Sequence, residues 1–87
     1  MSSVADGPDG IVQGVIEIIG RNGNVGGLTA DQDFYDAGVT SVAALPILLD
    51  IEDHFAVSIP DGVFVAARTP QALAEIIAGL RAELRKG

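Results

Sequence analysis

The stretch Asp36-Ala37-Gly38-Val39-Thr40-Ser41-Val42-Ala43-Ala44-Leu45-Pro46-Ile47-Leu48-Leu49-Asp50-Ile51-Glu52-Asp53-His54-Phe55 decides the fold, because a glycine-bearing acidic loop passes there into an apolar run with helical spacing. Ala44, Ile47, Leu48, Ile51 and Phe55 recur at three and four residues, which predicts a helix from Ser41 to about Phe55 with that stripe on a core. Ser41 stands at the junction, where a serine caps a helix and also shows its hydroxyl to solvent, as a covalently attached group requires. Val42, Ala43, Leu45 and Leu49 are apolar as well, whereas Asp50, Glu52, Asp53 and His54 gather polarity at the far end. A small bundle seldom needs so much apolar face, so part of it is expected either to meet a partner or to lie under the preceding loop. Pro46 has no N–H for the carbonyl of Val42, which predicts a locally irregular or slightly late helix start.

Upstream, Met1 to Pro8 is small and polar and reads as a flexible N-terminus over residues 1–8. Asp9 is placed to cap a first helix carrying Ile11, Val12, Val15, Ile16 and Ile19, with Gly20 to Gly23 ending it. Gly20 to Thr40 has little periodicity and exceeds the about 12 to 15 residues usual for a structureless connection. Such a loop needs anchors, and Phe34 and Tyr35 are the expected ones. Downstream, Val57-Ser58-Ile59-Pro60-Asp61 turns the chain, and Gly62 to Ala67 holds only a turn or so of helix. Thr69 followed by Pro70 starts a last helix, with Leu73, Ile76, Ile77 and Leu80 on its buried stripe and Arg81, Arg85 and Lys86 suited to its C-terminal dipole. The expectation is an all-α four-helix bundle with three longer helices, one short third helix and a long loop between helices 1 and 2, as a single domain over 9–87.

Composition removes several functions. An 87-residue chain forms one small domain, too short for a substrate domain beside a catalytic one, so a stand-alone enzyme is not expected. Twelve acidic against 5 basic residues give a charge of −7, whose field repels nucleic acid and anionic membranes and favours basic protein partners. There is no cysteine, so any thiol chemistry must come from an added group. Without a leader pattern or an apolar run of about 18 residues, the chain reads as soluble and cytoplasmic. His54, the lone histidine, reads as a solvated helix residue rather than a general base or metal ligand. Asp31, Asp33 and Asp36 lack the EF-hand pattern and its closing glutamate, and read as solvated or capping residues; no metal site is expected.

Three segments together carry a family resemblance. Asp36-Ala37-Gly38-Val39-Thr40-Ser41-Val42, then Ile51-Glu52-Asp53-His54-Phe55-Ala56-Val57-Ser58-Ile59-Pro60, then Thr69-Pro70-Gln71-Ala72-Leu73, resemble the acyl carrier protein family, including its peptidyl carrier domains. In that family the serine after the D-x-G-x-x pattern carries 4'-phosphopantetheine, which by position implies Ser41. The resemblance implies a non-catalytic protein whose arm, taken from coenzyme A by a Mg²⁺-using phosphopantetheinyl transferase, holds an acyl or aminoacyl group as a thioester. Further partners implied are an acyl- or aminoacyl-loading ligase and a downstream synthase or transferase, the carrier being a monomer.

Departures from the pattern bear on the pathway. The common fatty-acid version reads Asp-Ser-Leu where this chain has Thr40-Ser41-Val42, and the acids usual on the first turns of the second helix are replaced by Ala43 and Pro46. The partner-docking residues implied are Thr40, Val42, Ala43, Pro46, Asp50, Glu52 and Asp53, with less electrostatic contact than is usual and a specialised pathway, in fatty acid or polyketide chemistry or with an amino acid loaded by a dedicated ligase. The many β-branched core residues point to a small cleft and short or polar cargo. The rival reading is an unmodified interaction module of the same fold, in which Ser41 is only an N-cap and Ser41→Ala costs about 1 kcal/mol.

Overall fold

Proline, glycine and threonine set most of the helix limits before packing acts on them. The computed structural model describes residues 8–86 and contains α1 (Pro8–Gly23), α2 (Ser41–Phe55), α3 (Asp61–Ala66) and α4 (Pro70–Lys86), with no strand among the described residues. Three longer helices, a short third one and a long first loop are as the periodicity requires. Pro8 opens α1, a position where its missing N–H costs nothing, so Asp9 falls inside the first turn and is not the cap. The rest of the expected flexible segment, residues 1–7, lies outside the described residues. Thr69 does start α4: its Oγ1 accepts the Ala72 N–H at 3.1 Å and its carbonyl accepts Leu73 N–H at 3.1 Å.

Two helix ends close the same way. Asn24 (φ 57°) follows α1 and lets the Val25 N–H reach the Gly20 carbonyl at 3.2 Å, and Ala56 (φ 56°) follows α2 and lets Val57 N–H reach Glu52 O at 3.2 Å. Both are six-to-one closures on a left-handed residue. Neither residue is a glycine, and alanine in that region costs about 1–2 kcal/mol, offset by the paired carbonyls. The glycines at 20 and 23 therefore lie within α1, and the chain leaves the helix one residue after them.

α1 packs along both α2 and α4 and forms the centre of the molecule. A helix covered on two sides buries a wider stripe than one covered on one side. Ile11, Val12, Val15, Ile18 and Ile19 are all buried, with Ile18 added to the expected set and Ile16 only half-buried. Ile47, Leu48, Ile51 and Phe55 of α2 meet them, and Leu73, Ala74 and Ile77 of α4 close the other side; Ala44, Ile76 and Leu80 are half-buried at the margins.

Pro46 does not delay α2, which is helical from Ser41 through Phe55. Its exposed ring leaves a single carbonyl, that of Val42, without its usual donor one turn from the helix start, where solvent reaches it. The loop over 24–40 is anchored mainly by Phe34, which is fully buried; Tyr35 is half-buried beside it with ring centroids 4.7 Å apart. Backbone bonds tie this loop to the start of α4, with Phe34 N–H donating to Arg68 O at 2.9 Å and Gln71 N–H to Ala30 O at 2.9 Å.

Candidate functional site

The residues before Ser41 form a closed turn. Asp33 Oδ1 accepts the N–H groups of Tyr35 (2.9 Å) and Asp36 (3.1 Å), while Ala37 N–H donates to Asp33 O (3.0 Å), Gly38 N–H to Tyr35 O (3.2 Å) and Val39 N–H to Phe34 O (3.0 Å). Gly38 has φ 123°, a conformation that side-chain-bearing residues rarely adopt, which accounts for glycine at this position of the acidic motif. Val39 then buries its side chain and directs the chain into α2.

Ser41 is the first residue of α2 and not its cap. Thr40 holds the cap position in an extended conformation (φ −88°, ψ 162°) without a side-chain cap bond, and Ala43 N–H closes a tight first turn onto Thr40 O at 3.0 Å. The Ser41 hydroxyl is exposed and has no hydrogen-bond partner among the described residues. The first turn of α2 carries no acid, and the leading N–H groups of any helix lack intrahelical acceptors, so an anion attached at Ser41 meets the favourable end of the dipole. An open groove of about 230 Å³ runs beside it, lined by Ser41, Ala44, Leu45, Leu48, Asp61, Phe64 and Val65. A larger cleft, about 470 Å³, lies past the opposite end of α2 around Ala56 and Leu84. With roughly 1.5 Å of rise per residue, that cleft is about 20 Å from Ser41 and is not part of this site.

The expected docking residues divide into two groups. Thr40, Val42 and Pro46 are exposed and Ala43 is half-buried, so the early turns of α2 present a mainly apolar surface, continued by Leu45 and Leu49 at 61% and 56% exposure. Asp50 and Glu52 have intramolecular partners instead. Arg21 and Asn22 of α1 donate to Asp50 Oδ2 at 2.9 and 3.0 Å, and Ile59 N–H donates to Glu52 Oε2 at 2.9 Å. Asp53 is exposed. Val65 of α3 extends the apolar surface across the groove beyond what the sequence pointed to, because six helical residues are too few to show a period; Val63 is exposed as well, on another side of that short helix. His54 is exposed and packs edge-on against Phe55 at 4.7 Å between ring centroids. Thr29 Oγ1 donates to Asp31 Oδ1 at 3.0 Å, so Asp31 and Asp33 each serve turn geometry, whereas Asp36 is exposed.

Ion pairs set the electrostatics around the loop. The Arg68 guanidinium, 2.6 Å from Asp33 Oδ2, holds that carboxyl below the usual aspartate value of 3.8, helped by the Asp36 and Tyr35 N–H groups, and is itself pushed further up by Asp33. Arg21, and after it Asn22, lower Asp50 in the same way. A carboxyl depressed in the folded state stabilises at pH above its unfolded value, and that contribution disappears as pH falls through the folded value. The urea midpoint is therefore expected to drop between about pH 5 and about pH 2, and to drop less in a D33N/D50N double variant. Added salt weakens both partly exposed pairs and shrinks the difference.

The family model described as a phosphopantetheine attachment site matches residues 9–77, which include the whole turn, Ser41 and all of α2. No curated protein gives a match.

Proposed function

The chain belongs to the phosphopantetheine-attachment family, and from that premise we propose that Ser41 is the residue that carries 4'-phosphopantetheine, in a single carrier domain over 9–87. The observation that supports this is an exposed hydroxyl, without a partner among the described residues, at the N-terminal end of a helix that the family match covers. In loading, the Ser41 oxygen forms a bond to the phosphorus that bears the pantetheine in coenzyme A. The pyrophosphate P–O bond breaks, the nucleotide bisphosphate leaves, and the hydroxyl proton passes to a base on the transferase. The protein contributes position and a helix end that tolerates the resulting phosphodiester. The arm supplies the thiol absent from a chain without cysteine, and the tether raises the effective concentration of a thioester at each partner.

Family membership means that the domain meets a phosphopantetheinyl transferase, which installs its arm, and synthases in general, and does not itself catalyse. Among the described residues, no helix is long and apolar enough to cross a membrane. The partners of this carrier meet a face built from Val42, Leu45, Pro46 and Leu49 together with Val65, so their contact is largely apolar. The loss of Asp50 and Glu52 to internal bonds supports that reading, as does the absence of acids in the first turn of α2. A pathway more specialised than primary fatty acid synthesis follows from this departure, with an acyl or aminoacyl group loaded by a dedicated ligase. Dense packing of Val15, Ile47, Ile51 and Ile77, together with the small groove beside Ser41, supports short or polar cargo. A long saturated acyl group is then expected to leave the core methyl resonances of Ile47, Ile51 and Ile77 nearly unmoved in NMR spectra; large shifts there would contradict it.

Intact-protein mass tests the proposal. Incubation with coenzyme A, Mg²⁺ and a broad-specificity phosphopantetheinyl transferase is expected to add one phosphopantetheine. A folded sample that gains nothing, and whose native mass is also unmodified, would overturn it.

A further inference from the structure

Asp33 divides its two carboxylate oxygens between two tasks. Oδ1 organises the turn by accepting Tyr35 and Asp36 N–H, and Oδ2 accepts Arg68 Nε–H at 2.6 Å from the segment that joins α3 to α4. Arg68 also lies over the Tyr35 ring, 5.0 Å from its centroid, and its carbonyl accepts the Phe34 N–H. One arginine thus holds three consecutive residues, 33 to 35, by charge, backbone and ring face. The turn they begin closes at Val39, and only Thr40 separates Val39 from Ser41.

The two side chains of the pair keep 25% and 54% of their surface exposed, and an ion pair so placed adds little to global stability. Its geometric reach is larger than its energetic one. Thr40 and Ser41 make no side-chain bond at the start of α2, so the direction in which the serine leaves the loop is set by the turn behind it. Phosphoryl transfer to a hydroxyl depends steeply on the angle and distance of attack. We infer that Asp33 and Arg68 are positioning residues for modification of this chain: the pair locks the 33–38 turn onto the α3–α4 segment and so sets the presentation of the Ser41 hydroxyl to the transferase. The inference rests on Ser41 being the acceptor.

The test uses the full chain in three variants. Asp33→Asn keeps an Oδ1 for Tyr35 and Asp36 but turns an N–H₂ donor toward the Arg68 Nε–H donor; Arg68→Gln removes the charge; Arg68→Lys restores a cation within reach of Asp33 and the Tyr35 ring. Steady-state loading is measured with coenzyme A, Mg²⁺ and a broad-specificity phosphopantetheinyl transferase, varying the carrier. D33N and R68Q are expected to lose roughly tenfold in kcat with KM changed by less than about twofold, and R68K to recover most of that loss. Amide exchange supplies a readout independent of loading: in D33N and R68Q, exchange should quicken at Ala37, Gly38 and Val39 and stay unchanged in α1 and α4. Unchanged kcat, a loss confined to KM, an R68K variant as slow as R68Q, or unaltered exchange in the turn would each overturn the inference. Wild-type loading with normally loading variants removes the positioning role alone, whereas a wild type that takes no phosphopantetheine removes the Ser41 reading and this inference with it.

Discussion

Ser41→Ala is expected to abolish the mass gain completely while leaving the domain folded and nearly as stable as the wild type. The stability half of this expectation comes from the geometry at the start of α2. Ser41 lies one residue inside the helix and its hydroxyl has no partner, so removing it breaks no capping bond, and alanine is well suited to a helical position. A change within about 0.5 kcal/mol is expected, smaller than the about 1 kcal/mol lost when a true N-cap is removed. The functional half rests on the proposal that Ser41 is the acceptor; Thr40, its hydroxyl-bearing neighbour, stands one residue earlier in the extended cap position, outside the helix. Intact mass and a urea titration on the same two proteins check both halves. A destabilised variant that still gained the full phosphopantetheine mass would mean that the serine serves the fold and another residue accepts the group.

Phe34→Ala is expected to be the most destabilising single substitution in the loop, lowering stability by about 3–5 kcal/mol. Phe34 is wholly buried, it carries backbone bonds to Arg68 and Val39, and it stacks at a tilt on Tyr35. Truncation opens a cavity under the segment that joins α1 to α2, and the loop cannot collapse into it without giving up those bonds. In a domain whose whole stability is of the order of 5–15 kcal/mol, this is a large fraction. The urea midpoint of the variant measures it, and a loss below about 1 kcal/mol would show that the loop is held by its polar bonds rather than by the aromatic anchor.

The outcome at helix boundaries shows what kinds of information a sequence holds. The span of α2, the threonine start of α4 and the anchoring by Phe34 are local or nearly local properties, written in three-and-four spacing, in a T-P pair and in an aromatic residue stranded among glycines and acids. The cap of α2 is local too, yet it fell one residue from the expected place, because the choice between Thr40 and Ser41 turns on backbone angles that both residue types can adopt. Pro46 predicts an irregular or slightly late start, yet α2 is helical from Ser41, because near the helix start and with its ring in solvent the missing bond is inexpensive.

Charge pairing was the least legible property. Asp50 and Glu52 read as free acids on an exposed helix face, since nothing nearby in sequence announces Arg21, Asn22 or the Ile59 N–H as their partners. The same holds for Arg68, whose bond to Asp33 spans two helices and a loop. Val65 joined the apolar face only because α3 lies beside α2 along the groove next to Ser41.

By itself the sequence determined the class of this protein, its helical segments and the serine that its motifs single out, because periodicity, turn chemistry and motif spacing act over a few neighbouring residues. Only the tertiary structure decided which acids are left for a partner, how wide a stripe α1 buries, and what holds the turn before Ser41, because each depends on groups far apart in the chain that meet only after the helices pack.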